Sequence, residues 1–232
     1  MTEAVRPEVL ISRLTSDNQL WRANAEAHLV QMGEAAVDPL IGALQHAHPS
    51  VRVHAVHALA KLRSIRALPP VIAALADGEN NGAGAIAAEK ALIDWGEDAK
   101  PALLQAAQAG ADPIRARAVR ALGKIGGADL KPSLVALLAD SSVAVRTQAA
   151  VAIAAVSPTE ALRILAPLLK DSDKWVRYGV AEALARLGSV QAKRTLEAAR
   201  DDPEEQGSYI RFWAEELLDE LEELERTGRA VP

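Results

Sequence analysis

The sequence contains no cysteine, only seven aromatic residues and no long apolar run. Without cysteine the chain cannot form disulfides, zinc–thiolate sites or iron–sulfur clusters, and it has no cysteine nucleophile. The longest apolar run, residues 149–156, has 8 residues, which is too short to span a bilayer. Glu3 stands near the start without an apolar segment behind it, unlike a secretory leader. We therefore expect a cytoplasmic protein with no membrane partner.

Alanine is abundant instead, because it occupies 48 of the 232 positions. Alanine is the strongest helix former and a poor strand residue, so the composition favours helices over an all-β fold. The net charge of −5 is uneven: residues 201–232 carry 11 acidic and 3 basic side chains, and the remainder carries 20 and 23. A nucleic-acid-binding protein needs a concentrated basic face. No nucleic-acid partner is expected.

One motif recurs along the chain: an apolar residue, Arg, then Ala, then Ala-Leu, then an apolar residue that is often followed by Gly. Clear copies begin at Val51, Ile114 and Val176, and weaker copies begin at Trp21, Gly84, Val145 and Ile210. Successive copies start 30 to 34 residues apart. Within each copy the apolar positions recur at i, i+4, i+7, i+8 and i+11, which is one face of an α-helix.

A second amphipathic segment lies between consecutive copies and often opens with proline, as at Pro39, Pro101 and Pro132, where the first turn of a helix tolerates it. Each repeat is therefore predicted to be helix A, a turn and helix B. Neither helix can bury its apolar stripe alone, so neighbouring repeats must stack. We predict an all-α fold, an α-solenoid (superhelix) of about seven two-helix repeats.

The whole chain, residues 1–232, is predicted to form a single repeat domain. Its B helices are expected to start near residues 18, 49, 82, 112, 143, 174 and 207. The last of them, residues 207–226, is rich in acidic side chains. Terminal repeats need a polar outer face, so we expect this helix to cap the array.

The consensus Val-Arg…Ala-Leu…Leu-Gly, as in residues 176–188, resembles HEAT repeats, and more narrowly the short HEAT-like repeats named after phycobilisome lyases. The resemblance covers essentially the whole chain. It implies the solenoid fold, but such repeats serve scaffolds, bilin attachment and several enzymes, so it does not fix the function. An iron-dependent hydroxylase built on the same repeat needs His-Glu dipeptides, and this sequence has none.

Arginines at the openings of the B helices form a ladder along the repeats. Its members are Arg22, Arg52, Arg115, Arg146, Arg177 and Arg211. The ladder follows the repeat rather than a ligand, so we predict that it is structural and pairs with turn carboxylates. The candidate carboxylates are Asp17, Asp112, Asp140 and Asp173. The alternative interpretation is an anion-binding strip.

Four of the five histidines cluster at His46, His48, His54 and His57. His54 and His57 are three residues apart on a predicted helix and could share a metal with His46 or His48. No carboxylate stands at a supporting spacing in the sequence. We therefore predict surface and turn histidines and no metal site.

Five of the seven aromatic residues lie near the starts of the last two B helices. They are Trp175, Tyr178, Tyr209, Phe212 and Trp213. Trp175 is equivalent in the repeat to Tyr209, and Tyr178 to Phe212. We predict that these two positions lie off the core stripe, on the inner side of the B helices, and that the cluster forms an aromatic shelf that anchors a partner. The alternative is that the acidic last helix covers them as a cap. Trp21 and Trp95 are predicted to be core residues.

The remaining inner-face candidates are His57, Lys90 and Arg120, which share one position of the repeat. Together with the aromatic residues they predict a non-catalytic scaffold or adaptor that binds another protein or peptide along its concave face. The family resemblance implies an alternative, a bilin lyase or lyase-like chaperone that presents a tetrapyrrole to a phycobiliprotein, with a second HEAT-like subunit as partner. No catalytic residue and no cofactor is expected apart from the bilin of that alternative.

Overall fold

The computed structural model describes residues 6–78, 82–202 and 209–227, without the side chains of residues 209, 210, 224 and 225. Across these ranges the regular secondary structure is helical and no strand occurs. The predicted all-α class is confirmed. None of the helices in the described ranges combines the length and hydropathy that a bilayer-spanning segment requires.

The helices alternate between short A helices and longer B helices. In chain order they are α1 (Pro7–Arg13), α2 (Gln19–Gln31), α3 (Val37–Ala43), α4 (Pro49–Leu62), α5 (Leu68–Ala73), α6 (Ala83–Trp95), α7 (Lys100–Ala109), α8 (Asp112–Ile125), α9 (Lys131–Leu137), α10 (Val143–Val156), α11 (Pro158–Leu165), α12 (Lys174–Arg186), α13 (Val190–Asp201) and α14 (Tyr209–Thr227). Odd numbers are A helices and even numbers are B helices. The expected start of the last B helix near residue 207 lies outside the described residues.

The chain divides into two compact units, Met1–Ala121 and Leu122–Pro232. In the first unit the B helices α2, α4 and α6 pack in succession, and the A helices α1, α3 and α5 each pack on the B helix that follows. In the second unit α10, α12 and α14 pack in succession, with α9, α11 and α13 arranged in the same way. Such neighbour-to-neighbour packing of helical hairpins is typical of the α-solenoid class. That the chain forms one domain stays a prediction.

The core of each repeat follows the predicted apolar stripe. In α4, for example, Val51, Ala55, Ala58 and Leu59 are fully buried. Trp95 at the end of α6 is 5% exposed, as expected of a core residue.

Trp21 is an exception, because 60% of it is exposed and the prediction of a core position is wrong. In the described part of the chain no preceding B helix covers this side of α2, which is the first in the succession. The same repeat position that is buried in α4 is therefore open in α2.

Gly123 and Gly42 form a matched pair for a stability test. A Cβ at Gly123 in α8 would lie 2.7 Å from the Cβ and 2.9 Å from the Cα of Ala152 in α10, whereas a Cβ at Gly42 in α3 meets nothing within 4 Å. We expect Gly123→Ala to lower the free energy of unfolding by about 1 kcal/mol, because the cost of forcing the helices apart exceeds the gain in helix propensity.

We expect Gly42→Ala to raise the free energy of unfolding by about 0.5 kcal/mol, because only the gain in propensity remains. Urea unfolding followed by circular dichroism measures both variants. Equal stabilisation of the two variants would contradict the close helix approach.

Candidate functional site

An aromatic cluster joins the last two B helices in the second unit. The ring of Trp213 on α14 lies 5.7 Å from that of Trp175 and 4.8 Å from that of Tyr178, both on α12, measured between centroids. Trp175 and Tyr178 meet edge to face at 6.4 Å. These separations are within the range of favourable aromatic contacts. Trp213 thus forms the base on which the two α12 rings rest.

The aromatic residues of α12 and α14 differ in their exposure to solvent. Trp175 is 54% exposed and Phe212 on α14 is 61% exposed, whereas Trp213 is 8% exposed. The prediction that Trp213 belongs to the exposed shelf is wrong, because it lies on the side of α14 that packs against α12. Tyr178 is half-buried. The side chain of Tyr209 lies outside the described residues.

Acidic side chains surround the aromatic cluster. The pKa of the Tyr178 hydroxyl is raised by burial and by the nearby carboxylates of Glu182, Glu216 and Glu220. Two cations lie in the same region. Lys174 places its Nζ 5.4 Å from the centroid of the Trp175 ring, a cation–π distance, and Arg186 donates to Glu182 at 2.7 Å. Three carboxylates and two cations leave a small excess of negative charge around Tyr178 and Trp175.

The first unit contains a different cluster, formed by Glu26 of α2 and by His54, His57 and Lys61 of α4 (the Glu26 cluster). Glu26 is buried, and its Oε2 lies 2.5 Å from Nδ1 of His54, while its Oε1 accepts a hydrogen bond of 2.7 Å from Nζ of Lys61. Burial by itself raises the pKa of the carboxyl, but the hydrogen bonds and positive charges of His54 and Lys61 outweigh it and lower the pKa to about 2.

His57 completes the Glu26 cluster at longer range. Its Nδ1 lies 3.9 Å from Oε2 of Glu26, and its side chain is 43% exposed. Burial lowers the pKa of His57, partly offset by the charge of Glu26. The other two clustered histidines do not join this group: Nδ1 of His46 accepts from the N–H of His48, and Nδ1 of His48 accepts from the N–H of Ser50 at the start of α4.

A second buried glutamate stands at the same repeat position as Glu26. Glu89 of α6 is 5% exposed, and its Oε1 accepts a hydrogen bond of 2.8 Å from Nε of Arg120 on α8. Nη2 of Arg120 also donates to Oε2, and Arg117 lies 3.9 Å away. Lys90 is exposed and forms no ion pair with any residue in the described ranges. Of the predicted inner-face residues, His57 and Arg120 thus lie against buried glutamates.

Sequence reasoning missed both glutamates, although a signal existed. Five residues after the start of a copy, four of the other five copies carry valine or alanine, at Val56, Val119, Ala150 and Ala181. An acidic residue within an apolar stripe must find a cation when it is buried. Spacing along the sequence could not reveal the partners, because His54 lies 28 residues beyond Glu26 and reaches it only across the interface between repeats.

The ladder arginines contact the turn that precedes their own B helix. Arg22, Arg52, Arg115, Arg146 and Arg177 each donate through Nη1 to a backbone carbonyl 5 or 6 residues earlier, at 2.6 to 3.1 Å. Each of these arginines therefore fastens the turn between helix A and helix B. Arg211 is exposed, and the equivalent turn before it lies outside the described residues.

Two ladder arginines also reach a carboxylate of the following repeat. Arg52 binds Asp77 through Nε and Nη2 at 2.8 and 3.3 Å, and Arg146 binds Asp171 in the same way at 3.2 Å. Asp112 is the predicted carboxylate that pairs with a ladder arginine, at 2.8 Å from Arg115.

The other predicted carboxylates play different parts. Those of Asp140 and Asp173 accept the backbone N–H groups of Ser142 and Trp175. In the described residues, the carboxylates through which ladder arginines reach the following repeat are therefore those of Asp77 and Asp171, which the sequence interpretation did not name as partners of the ladder.

The low pKa of Glu26 makes stability depend on pH. Because its pKa of about 2 in the folded chain lies below the ordinary 4.5, the ionised carboxylate stabilises the fold above pH 4.5, and this contribution is lost as the pH falls towards 2. We expect the stability advantage of the natural chain over Glu26→Gln to shrink by about 2 kcal/mol between pH 5 and pH 3. Urea unfolding at the two pH values measures it, and an unchanged advantage would contradict the ion pairing.

Three comparisons place the chain among known proteins. The sequence model described as HEAT repeats matches residues 7–93, 83–154 and 132–219. No curated protein sequence matches the chain.

The solved structures that are similar to the chain have low sequence identity to it. They include the phycocyanin lyase complex of CpcE and CpcF from Nostoc sp. PCC7120, with 24% identity over 95% of this chain and 97% of that one and a TM-score of 0.42. A HEAT-like repeats protein from the archaeon Thermococcus onnurineus NA1 shows 14% identity over 96% and 99%, with a TM-score of 0.47. Human deoxyhypusine hydroxylase shows 19% identity over 94% and 96%, with a TM-score of 0.43. Since the matched repeats together span residues 7–219, the chain belongs to the HEAT repeat family.

Proposed function

We propose that the chain is a non-catalytic scaffold or adaptor that binds a segment of another protein on the surface formed by α12 and α14. The observation that carries the proposal is the exposure of Trp175 and Phe212, at 54% and 61%, with the ring of Trp175 packed against Trp213. Large apolar side chains left open to water in this way favour a partner that covers them. Trp is also the residue type most enriched among interface hot spots.

The support beneath Trp175 favours binding because it limits the entropy lost when a partner docks. Its ring rests on Trp213 and meets Tyr178 edge to face. A side chain already held in one orientation loses little rotamer freedom on binding. Trp213 and Tyr178 are therefore positioning residues, and Trp175 and Phe212 are the anchors.

The charge around the anchors selects the chemistry of the partner. The carboxylates of Glu182, Glu216 and Glu220 outnumber the guanidinium of Arg186 beside Tyr178, and a partner segment of opposite charge associates faster and in the correct register. The favoured partner is therefore a basic segment that carries at least one aliphatic or aromatic side chain.

The remaining predicted binding residues belong to the other unit of the chain. His57, Lys90 and Arg120 lie in the first unit, where His57 and Arg120 contact buried glutamates. The proposal does not need them, and their contact with a partner stays a prediction.

The test uses two fluorescent peptides of equal length and equal leucine content, one rich in arginine and one rich in glutamate. We expect the basic peptide to bind the natural chain and Trp175→Ala to weaken its binding at least about tenfold, because an anchor of this kind contributes well over 1 kcal/mol. Fluorescence anisotropy measures the affinity. The matched control is Trp21→Ala, which removes an equally exposed tryptophan from α2 in the first unit and should leave binding unchanged.

Two results would reject the proposal. One is binding of both peptides with similar affinity, which would indicate an unspecific apolar surface. The other is binding of the basic peptide that persists in the double variant Trp175→Ala/Phe212→Ala while circular dichroism shows an intact helix content.

A further inference from the structure

The Glu26 cluster offers more ligand atoms than an ion pair requires. Glu26, His54 and His57 each contribute one carboxylate oxygen or ring nitrogen, and these three atoms lie within 4.8 Å of one another. Two histidines and one carboxylate are a frequent ligand set for divalent transition metals. This set is distinct from a pattern of His-Glu dipeptides, because its carboxylate comes from the neighbouring repeat.

The distances between the candidate ligand atoms of Glu26, His54 and His57 are close to those between the ligands of a tetrahedral metal ion. Zinc ligands at about 2.0–2.2 Å from the ion are about 3.3 Å from each other. Oε2 of Glu26 lies 2.5 Å from Nδ1 of His54 and 3.9 Å from Nδ1 of His57. Changes of about 1 Å, within the reach of side-chain rotation, therefore suffice to open the pair and admit an ion.

The orientation of the two histidine rings is also compatible with both binding one metal ion. The two histidine rings are nearly perpendicular, at 86°, with centroids 6.0 Å apart. Three residues separate them on α4, so both project from the same helix face towards α2. The helix holds the two nitrogens in place, and the neighbouring helix supplies the third ligand.

Access from solvent is open on one side. His57 is 43% exposed, and a cavity of about 270 Å³ lies beside the cluster, lined in part by Glu26, His57, Lys61 and Lys90. An ion held by three protein ligands next to this cavity would keep a fourth position for water or for a side chain of a partner. Metal sites that retain such an open position are the reactive or regulatory kind.

The positive charge of Lys61 disfavours a metal ion at this site. Without an ion, Lys61 binds the carboxylate of Glu26 instead. Its Nζ donates to Oε1 of Glu26 at 2.7 Å, but its side chain is 60% exposed. It can therefore withdraw into solvent when a divalent ion takes the charge of the carboxylate. In the metal-free state Lys61 and His54 satisfy the buried carboxylate instead.

We propose that Glu26, His54 and His57 form a binding site for a divalent transition metal, of which zinc is the best-suited ion. Oε2 of Glu26 and one ring nitrogen of each histidine are the ligands, and Oε1 stays with Lys61 or water. The site lies between the first two repeats, so an ion there would cross-link α2 and α4. Tetrahedral coordination by nitrogen and oxygen with an open position favours zinc over magnesium or calcium, which prefer oxygen ligands.

The experiment titrates the full chain, free of any affinity tag, with Zn²⁺ by calorimetry and with Co²⁺ by visible absorption. We expect one equivalent of Zn²⁺ to bind, and Co²⁺ to develop the intense d–d bands of a four-coordinate complex. His54→Gln, His57→Gln and Glu26→Gln should each weaken binding at least about 100-fold, since loss of a ligand costs no less than loss of an outer-shell partner. The matched controls His28→Gln and His46→Gln should bind as the natural chain does.

A further variant distinguishes a metal site from a purely structural ion pair. Lys61→Met removes a positive charge beside the proposed ion, so it should strengthen Zn²⁺ binding about tenfold even though it deletes a hydrogen bond of the cluster. A ligand variant that fails to fold is identified by circular dichroism, and Lys61→Met then decides together with the two control variants.

Three outcomes would overturn the proposal. They are no binding of Zn²⁺ to the natural chain, binding that persists in folded His54→Gln and His57→Gln, and weaker binding by Lys61→Met. The first outcome would leave the cluster as an ion pair that joins the first two repeats.

Discussion

Replacing Trp95 by alanine is expected to lower the free energy of unfolding by about 4 kcal/mol. The indole is 5% exposed at the end of α6, and its Nε1 donates to the carbonyl of Ala60 in α4 at 3.3 Å. The substitution removes a large apolar group and leaves a cavity, and the carbonyl of Ala60 loses its hydrogen-bond donor. The lost transfer free energy and the lost hydrogen bond both lower the stability. Urea unfolding followed by circular dichroism measures the loss.

Trp21→Ala is the matched control for this experiment. Trp21 is 60% exposed, so its removal should change the stability by less than about 1 kcal/mol. A similar loss in the two variants would show that Trp21 is covered in solution and would restore the sequence prediction that both are core residues.

Replacing Arg146 by alanine is expected to lower the free energy of unfolding by about 3 kcal/mol. Losses of this size are found when one partner of a buried ion pair is removed. The guanidinium binds both oxygens of Asp171 and donates to the carbonyls of Asp140 and Ser141, while the side chains of Arg146 and Asp171 are only 14% and 15% exposed. Without the guanidinium of Arg146, the poorly solvated carboxylate of Asp171 and the turn carbonyls of Asp140 and Ser141 lose this donor. Arg146→Lys should recover less than half of the lost stability, because an ammonium group cannot form the bidentate contact with the carboxylate.

Arg163→Ala provides the control on the same kind of side chain. Arg163 is 79% exposed and lies 3.7 Å from Glu160 within one helix. Exposed pairs of this kind contribute little, so we expect a change below about 0.5 kcal/mol. A loss for Arg146→Ala no larger than this would argue that the ladder does not stabilise the repeats.

The repeat architecture could be predicted because its signals are local. The apolar stripe of α4, the prolines near the starts of A helices and the Arg at the opening of six of the seven B helices are signals that each lie within one copy of about 31 residues. A repeated stripe predicts both the helices and their stacking, since each neighbour must cover the next. Hence the fold class follows from the sequence alone.

The sites depend on contacts between copies, and these were predicted less well. Trp213 is buried because α12 brings Trp175 and Tyr178 against it, and Glu26 matters because α4 brings His54 against it. Neither contact is encoded in the spacing within one repeat. The bilin-lyase alternative rests on the family resemblance and stays a prediction, which the absorption spectrum of the chain mixed with phycocyanobilin would test.

The two buried glutamates also bear on how the repeats are ordered during folding. Glu26 and Glu89 occupy the same position of the first and third B helices, and matching positions of the second and fourth B helices face them, His54 with His57 and Arg117 with Arg120. The interface between the second and third B helices has Val56 at that position instead. An array that skipped the fourth B helix would leave Glu89 without Arg117 and Arg120, so this ion pair favours the correct neighbour over that misassembly.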